Sequence, residues 1–148
     1  MKGLISLVVI SFFLILVGCT DENEVMKEGW ELTGTFESNE REMVGLEERL
    51  GLLPGTGLIV NEESKQMWHF WGEREFLSSK DFDIKATHKE TREVIDLFYI
   101  NGDGIGSPNN GADTHIPSTL KFPLDGKWKL DIYHGEEIFE SIIINVGY

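Results

Sequence analysis

The chain has 148 residues, of which 41% are hydrophobic and 26% are charged, and its formal net charge is −13. This length predicts one globular domain, and the hydrophobic fraction is sufficient for a packed core. Because proteins neutralise nucleic-acid phosphates with Lys and Arg, the acidic excess argues against binding to nucleic acid. It also argues against adsorption of the domain on anionic lipid.

The first 18 residues differ from the rest of the chain. Lys2 supplies a positive charge, and Ser6 and Ser11 are the only polar interruptions in the apolar run from residue 4 to residue 17. A helix needs roughly 20 apolar residues to span a bilayer, so this run is short for a permanent anchor. The pattern is typical of a cleaved export signal, and we predict a signal peptide at residues 1–18.

The sequence Leu16-Val17-Gly18-Cys19 resembles the lipobox of bacterial lipoproteins. Cys19 is the only cysteine, so it cannot form an intramolecular disulfide. The resemblance implies that Cys19 is lipidated and becomes the mature N-terminus, held at the outer face of the bacterial cytoplasmic membrane by at least two acyl chains. The alternative is a chance cysteine at the end of an ordinary signal or of a single-span segment.

The composition of residues 19–29 indicates a flexible tether. After Cys19 the sequence is TDENEVMKEG, which is polar and acidic and has no regular apolar period. Removal of residues 1–18 takes away Lys2 and no acidic residue, which leaves the mature chain still more acidic. We therefore expect charged partners of the domain to be cationic, such as basic peptides or metal ions.

Residues 30–148 predict an all-β domain, because apolar and polar residues alternate with a period of two along several segments. The clearest examples are WELTGTFE, FDIKATH and KWKLDIYH. No segment shows a period of 3.6 over ten residues. The predicted strands cover residues 30–37, 43–47, 49–53, 58–60, 66–71, 82–88, 94–100, 119–122, 127–134 and 137–146.

The turns between these segments support an antiparallel arrangement. Gly135 in HGEE lies where a tight hairpin favours positive φ, so the last two strands should form a hairpin. Short strands with a turn about every ten residues predict an antiparallel, immunoglobulin-like β-sandwich, with a closed barrel as the alternative. The disulfide of true immunoglobulin domains is absent, because the chain has no second cysteine.

Two loops carry residues that could bind a metal. INGDGIGS begins like a calcium loop, but Ile105 and Ala112 stand where ligands would be needed, which favours a glycine-rich connection over the alternative, an irregular calcium site that joins Asp103 to Asp113. In NNGADTHIPS, Asp113 and His115 could supply an oxygen and an imidazole to calcium or zinc, or form an Asp–His pair. The simpler interpretation is a structured loop, with Asn and Asp side chains bonding their own backbone in Asx-type turns.

The segment MWHFWG is unusually rich in aromatic residues. In a strand, Trp68 and Phe70 point to one side and His69 and Trp71 to the other. One pair should lie in the core. The other pair, if exposed, would form an aromatic patch for a carbohydrate or a protein partner, and burial under a neighbouring loop is the alternative.

Three blocks of the chain carry a family resemblance: MWHFWG, NNGADTHIPS and GKWKLDIYHGEEIFESIIINV. Together with the lipobox they resemble a family of Bacillus-type lipoproteins and secreted proteins of unknown function. This resemblance implies a small immunoglobulin-like β-sandwich at the outer face of a Gram-positive membrane, and it implies no catalytic residues. A more distant likeness in fold is to small β-sandwich proteinase inhibitors of the same bacteria.

The sequence therefore predicts a membrane-anchored extracellular lipoprotein that acts by binding, without a cofactor. The expected partner is an extracellular protein or a cell-wall component, and the candidate binding residues are Trp68, His69, Trp71, Asp113 and His115. The chain has no G-x-S-x-G, H-E-x-x-H or C-x-x-C motif, which argues against an enzyme. Two alternatives remain, a metal-binding hydrolase that uses Asp113 and His115, and a proteinase inhibitor.

Overall fold

Two antiparallel sheets form the fold in the computed structural model, which describes residues 29–55 and 57–148. The predicted signal peptide, Cys19 and all but the last residue of the predicted tether lie outside these residues. Among the described residues, no helix has the length and the hydrophobicity that a membrane span requires.

The first sheet has five strands. Their bounds are β1 Thr35–Ser38, β2 Arg41–Leu46, β3 Leu50–Pro54, β4 Ser64–Phe70 and β7 Thr114–Leu120. They pair in the order β1-β2-β3-β4-β7. The first four follow one another as hairpins, and β7 returns to pair with β4, so β1 and β7 are the edge strands.

The second sheet has four strands. Their bounds are β5 Phe82–His88, β6 Val94–Ile100, β8 Gly126–His134 and β9 Glu137–Val146. They pair in the order β6-β5-β8-β9, and β8 and β9 form the predicted hairpin, with Gly135 at φ +65° in the turn. A single helical turn, α1 Arg74–Leu77, connects β4 to β5, and a 3-10 turn spans Gly102–Gly104.

The core lies between the two sheets. Alternate apolar residues of the strands point into this core, as Phe82, Ile84 and Ala86 do in β5. Trp68 and Trp128 are fully buried in this core. One contiguous core between two antiparallel sheets identifies a β-sandwich.

The sequence predicted most of the strands, with three corrections. Residues 30–34 are not in a strand, although the Thr33 amide donates a hydrogen bond to the Ile143 carbonyl. Residues 58–60 form only an isolated bridge between Ile59 and Gly147. The prediction of a loop through residue 118 was wrong for residues 114–118, which belong to β7.

Candidate functional site: the outward face of the five-stranded sheet

The two faces of β4 have different surroundings. Trp68 and Phe70 point into the core, so Met67 and His69 point outward. Across the sheet Met67 lies opposite Pro117 of β7, and His69 lies opposite His115. The outward face of β4 and β7 thus brings together residues from two of the aromatic and polar blocks that stood out in the sequence.

A tight turn at residues 109–112 covers part of this face. Asn109 and Ala112 exchange two backbone hydrogen bonds of 2.9 and 3.1 Å. The two central residues, Asn110 and Gly111, have φ values of +47° and +85°, which are the conformations of a type I′ turn. An Asn-Gly pair suits this turn, because Asn tolerates the left-handed region and Gly enters it without a steric cost.

Side chains fasten the turn to the sheet. The Asn110 side-chain amide lies 3.0 Å from His69 Nε2, and the Asn109 amide donates to Met67 Sδ at 3.3 Å. Trp71 Nε1 donates to the Gly111 carbonyl at 2.9 Å. The prediction of a structured loop is therefore confirmed for residues 109–112, but the Asn side chains bond β4 instead of forming Asx-type turns.

His69 is buried beneath this turn and is 0% exposed. Its Nδ1 has no hydrogen-bond partner among the described residues. Burial lowers the pKa of His69 below its usual value, and the positive charge that His115 can carry lowers it further. His69 is therefore a neutral core-like side chain and offers no free surface to a partner.

Asp113 and His115 both make contacts with the backbone. Asp113 Oδ2 accepts a hydrogen bond of 2.8 Å from the Gly72 amide, which follows β4. His115 Nδ1 lies 2.7 Å from the Ser107 carbonyl oxygen. These bonds hold the connection between β6 and β7 in place, and they occupy one polar atom of each side chain.

The two tryptophans of MWHFWG have different positions. Trp68 is fully buried and donates through Nε1 to Ser118 Oγ at 2.9 Å, so it takes no part in a surface patch. Trp71 is partly exposed and packs edge-on against Phe36 at 5.7 Å between ring centroids. Of the predicted aromatic surface, Trp71 alone offers exposed area.

The glycine-rich segment has a structural role in a turn. The 3-10 turn at Gly102–Gly104 is fixed by Asp81, whose Oδ1 accepts a hydrogen bond of 3.0 Å from the Gly102 amide. The same carboxylate accepts a bond of 2.6 Å from the Tyr99 hydroxyl, which lowers the pKa of Asp81. Over residues 29–55 and 57–148, no three His, Cys, Asp or Glu side chains are grouped so that they could hold a metal ion.

A cavity of about 890 Å³ lies beside the covered region. It extends from the start of β2 to β7, the edge strand of the first sheet, and to β6, the edge strand of the second sheet. Its apolar lining includes Leu53, Met67, Phe98 and Pro117, and its basic lining residues are Arg41 and Lys65. Ligand sites of proteins commonly have volumes of about 300–1,000 Å³ and a mostly apolar lining with a few polar groups.

Local sequence patterns do not reveal this cavity. Met67 belongs to the aromatic block MWHFWG, but Leu53 and Pro117 are brought beside it only by the pairing of β3, β4 and β7. The two-residue period does predict that Lys65, Met67 and His69 share one face of β4. The strand partners that complete the cavity could not be identified without the sheet order.

The comparisons with known proteins agree with this fold. Residues 21–144 match the model of a family described as a domain of unknown function, DUF4871. No curated protein gives a significant match to the chain. A crystal structure of a protein described as a "putative lipoprotein from Bacillus anthracis" is similar, with a TM-score of 0.64 and 22% sequence identity, over 82% of this chain and 90% of that one.

Proposed function

The chain belongs to the DUF4871 family, and from this premise we propose that it is a lipoprotein that binds a ligand outside the bacterial cell. Lipidation of Cys19 would anchor it at the outer face of the cytoplasmic membrane. Its described domain would be an immunoglobulin-like β-sandwich. The lipobox supports the anchor, and the similarity in fold to the Bacillus anthracis protein supports the same placement.

The cavity is the observation that carries the binding function. Its volume of about 890 Å³ lies within the range of small-molecule sites, and it combines apolar walls with two cationic side chains. Asp113 and His115, the candidates for catalysis, are instead engaged in hydrogen bonds that shape the loop before β7. We therefore favour binding over turnover, with a ligand drawn from the cell envelope.

The anchor is tested by fractionation of cells that produce the full chain. The wild-type protein should remain with the membrane, and mass spectrometry should find its N-terminus at a diacylated Cys19. The Cys19→Ala variant should lose the acyl chains and the cleavage that follows them. A wild-type protein with an unmodified Cys19 that retains residues 1–18 would contradict the proposed anchor.

Binding is tested with protein purified from its own cell envelope. Small molecules extracted from the wild-type protein should be depleted when Thr119→Trp places a large side chain in the cavity, since Thr119 is an exposed lining residue. Thr35→Trp is the matched control, because Thr35 is exposed on β1 outside the cavity lining. Equal recovery of every extracted compound from both variants would contradict a ligand in this cavity.

A further inference from the structure

The two basic residues of the cavity have no acidic counterpart. Arg41 and Lys65 are exposed, and none of the residues that line the cavity is Asp or Glu. Within residues 29–55 and 57–148 neither forms an ion pair, whereas Lys80, Lys85 and Lys129 each lie within 4 Å of a carboxylate. In a chain with 26 acidic and 13 basic residues, this is a local excess of positive charge.

An apolar surface lies directly beside these cations. Leu53 pairs with Met67, and Met67 pairs with Pro117, so the three side chains form one row across β3, β4 and β7 on the outward face. Phe98 of the other sheet adds an aromatic wall. Lys65 precedes Met67 by two residues and therefore shares its face, and it lies opposite Thr119 in the neighbouring row.

We infer that the cavity binds an amphipathic carboxylate, a small molecule with an apolar chain and a terminal carboxylate. The carboxylate pairs with Arg41 and Lys65, since a guanidinium can bind both carboxylate oxygens at once. The chain packs along Leu53, Met67 and Pro117. This inference rests on the proposed function, because it names the class of ligand for the same cavity.

The test uses the full lipidated chain in nanodiscs of zwitterionic phosphatidylcholine, labelled with methyl-¹³C methionine. Met67 lines the cavity, whereas Met43 is fully buried outside the cavity lining and serves as the internal control. N-octanoylglycine should shift the Met67 signal and leave that of Met43 in place. N-octanoylglycinamide, which has the same chain and the same amide but no charge, should bind about tenfold more weakly.

Variants separate the role of charge from that of shape. The double variant Arg41→Gln/Lys65→Gln should weaken N-octanoylglycine about tenfold and leave N-octanoylglycinamide unchanged. The double variant Lys80→Gln/Lys89→Gln makes the same change in net charge outside the cavity and should bind both compounds like the wild type. Added salt should weaken binding of the anion only, because the two cations are exposed.

The outcomes distinguish this inference from the proposed function. The wild-type protein could bind the two compounds with equal affinity, and the loss of Arg41 and Lys65 could leave both affinities unchanged. This result would overturn the preference for a carboxylate, but it would still support the cavity as a binding site. No shift of Met67 with either compound would also overturn the inference. The proposed binding function would then be tested separately, by whether the compounds that co-purify with the wild-type protein are depleted in Thr119→Trp.

Discussion

Gly111 shows how the backbone of one residue helps to cover the outward face of the sheet. It occupies the second central position of the turn at residues 109–112, at φ +85°, and its carbonyl accepts the indole hydrogen bond of Trp71. A Cβ at this position would lie 2.5 Å from Ser38 Oγ, which donates to the Asn110 carbonyl. The turn therefore depends on the absence of a side chain at this residue.

We predict that Gly111→Ala destabilises the protein by about 1–2 kcal/mol, from the left-handed backbone of an L-residue and the contact with Ser38. The measurement is the free energy of unfolding in urea. Gly34→Ala is the control, since a Cβ at Gly34 has no neighbour within 4 Å and Gly34 has no positive φ. If both variants unfold at the wild-type urea concentration, the turn does not require glycine.

A single side chain connects the β2–β3 turn of the first sheet to β9 of the second. Arg49 donates from Nη2 to the Phe139 carbonyl at 2.8 Å, and its guanidinium carbon lies 3.9 Å from the centre of the Phe139 ring. Its Nε is 3.8 Å from Glu140 Oε2. Because the Arg49 side chain is 46% exposed, solvent screens the ion pair, and the hydrogen bond and the ring contact contribute most.

We predict that Arg49→Lys destabilises the protein by about 1 kcal/mol, because lysine keeps the charge but lacks the planar group that donates to the carbonyl while lying over the ring. Urea unfolding measures the change. Arg41→Lys is the matched control, since Arg41 has no ion pair among the described residues. A loss of stability as large in the control would mean that the inter-sheet contact is not the cause.

Strand β7 is the part of the fold that was hardest to predict from the sequence. Its inward positions are Thr114, Ile116, Ser118 and Leu120, so the two-residue period is present, but half of its members are polar. Pro117 also argued against a strand. Proline is tolerated here because β7 is an edge strand, where an amide that points away from the sheet needs no strand partner.

At the scale of the whole molecule, the sequence predicted the fold class far better than the candidate site. Most strands followed from alternation, and strands 82–88, 94–100 and 137–146 matched their predicted bounds, since alternation depends only on neighbouring residues. The cavity combines the consecutive strands β2, β3 and β4 with β6 and β7, which come much later in the chain. Sheet order is a property of packing between distant segments, so local periodicity did not contain it.

Two buried histidines link the stability of the whole molecule to pH. Burial is the largest cause of a lowered pKa at His69 and at His134, whose ring packs at 4.8 Å between ring centroids from both Phe76 and Phe82. In the unfolded chain each histidine titrates near its usual pKa of about 6.5. Below that pH the unfolded state therefore binds more protons than the native state, so acidification favours unfolding.

We predict that the free energy of unfolding falls between about pH 7.5 and about pH 5.5, because this window crosses the unfolded-state pKa of both histidines. Urea unfolding at constant ionic strength measures it. The double variant His69→Gln/His134→Phe should show a weaker dependence on pH, whatever its stability at neutral pH. Ile142→Val, which removes a buried methyl group and no titrating group, should keep the wild-type dependence. An unchanged pH dependence in the histidine variant would assign the effect to other groups.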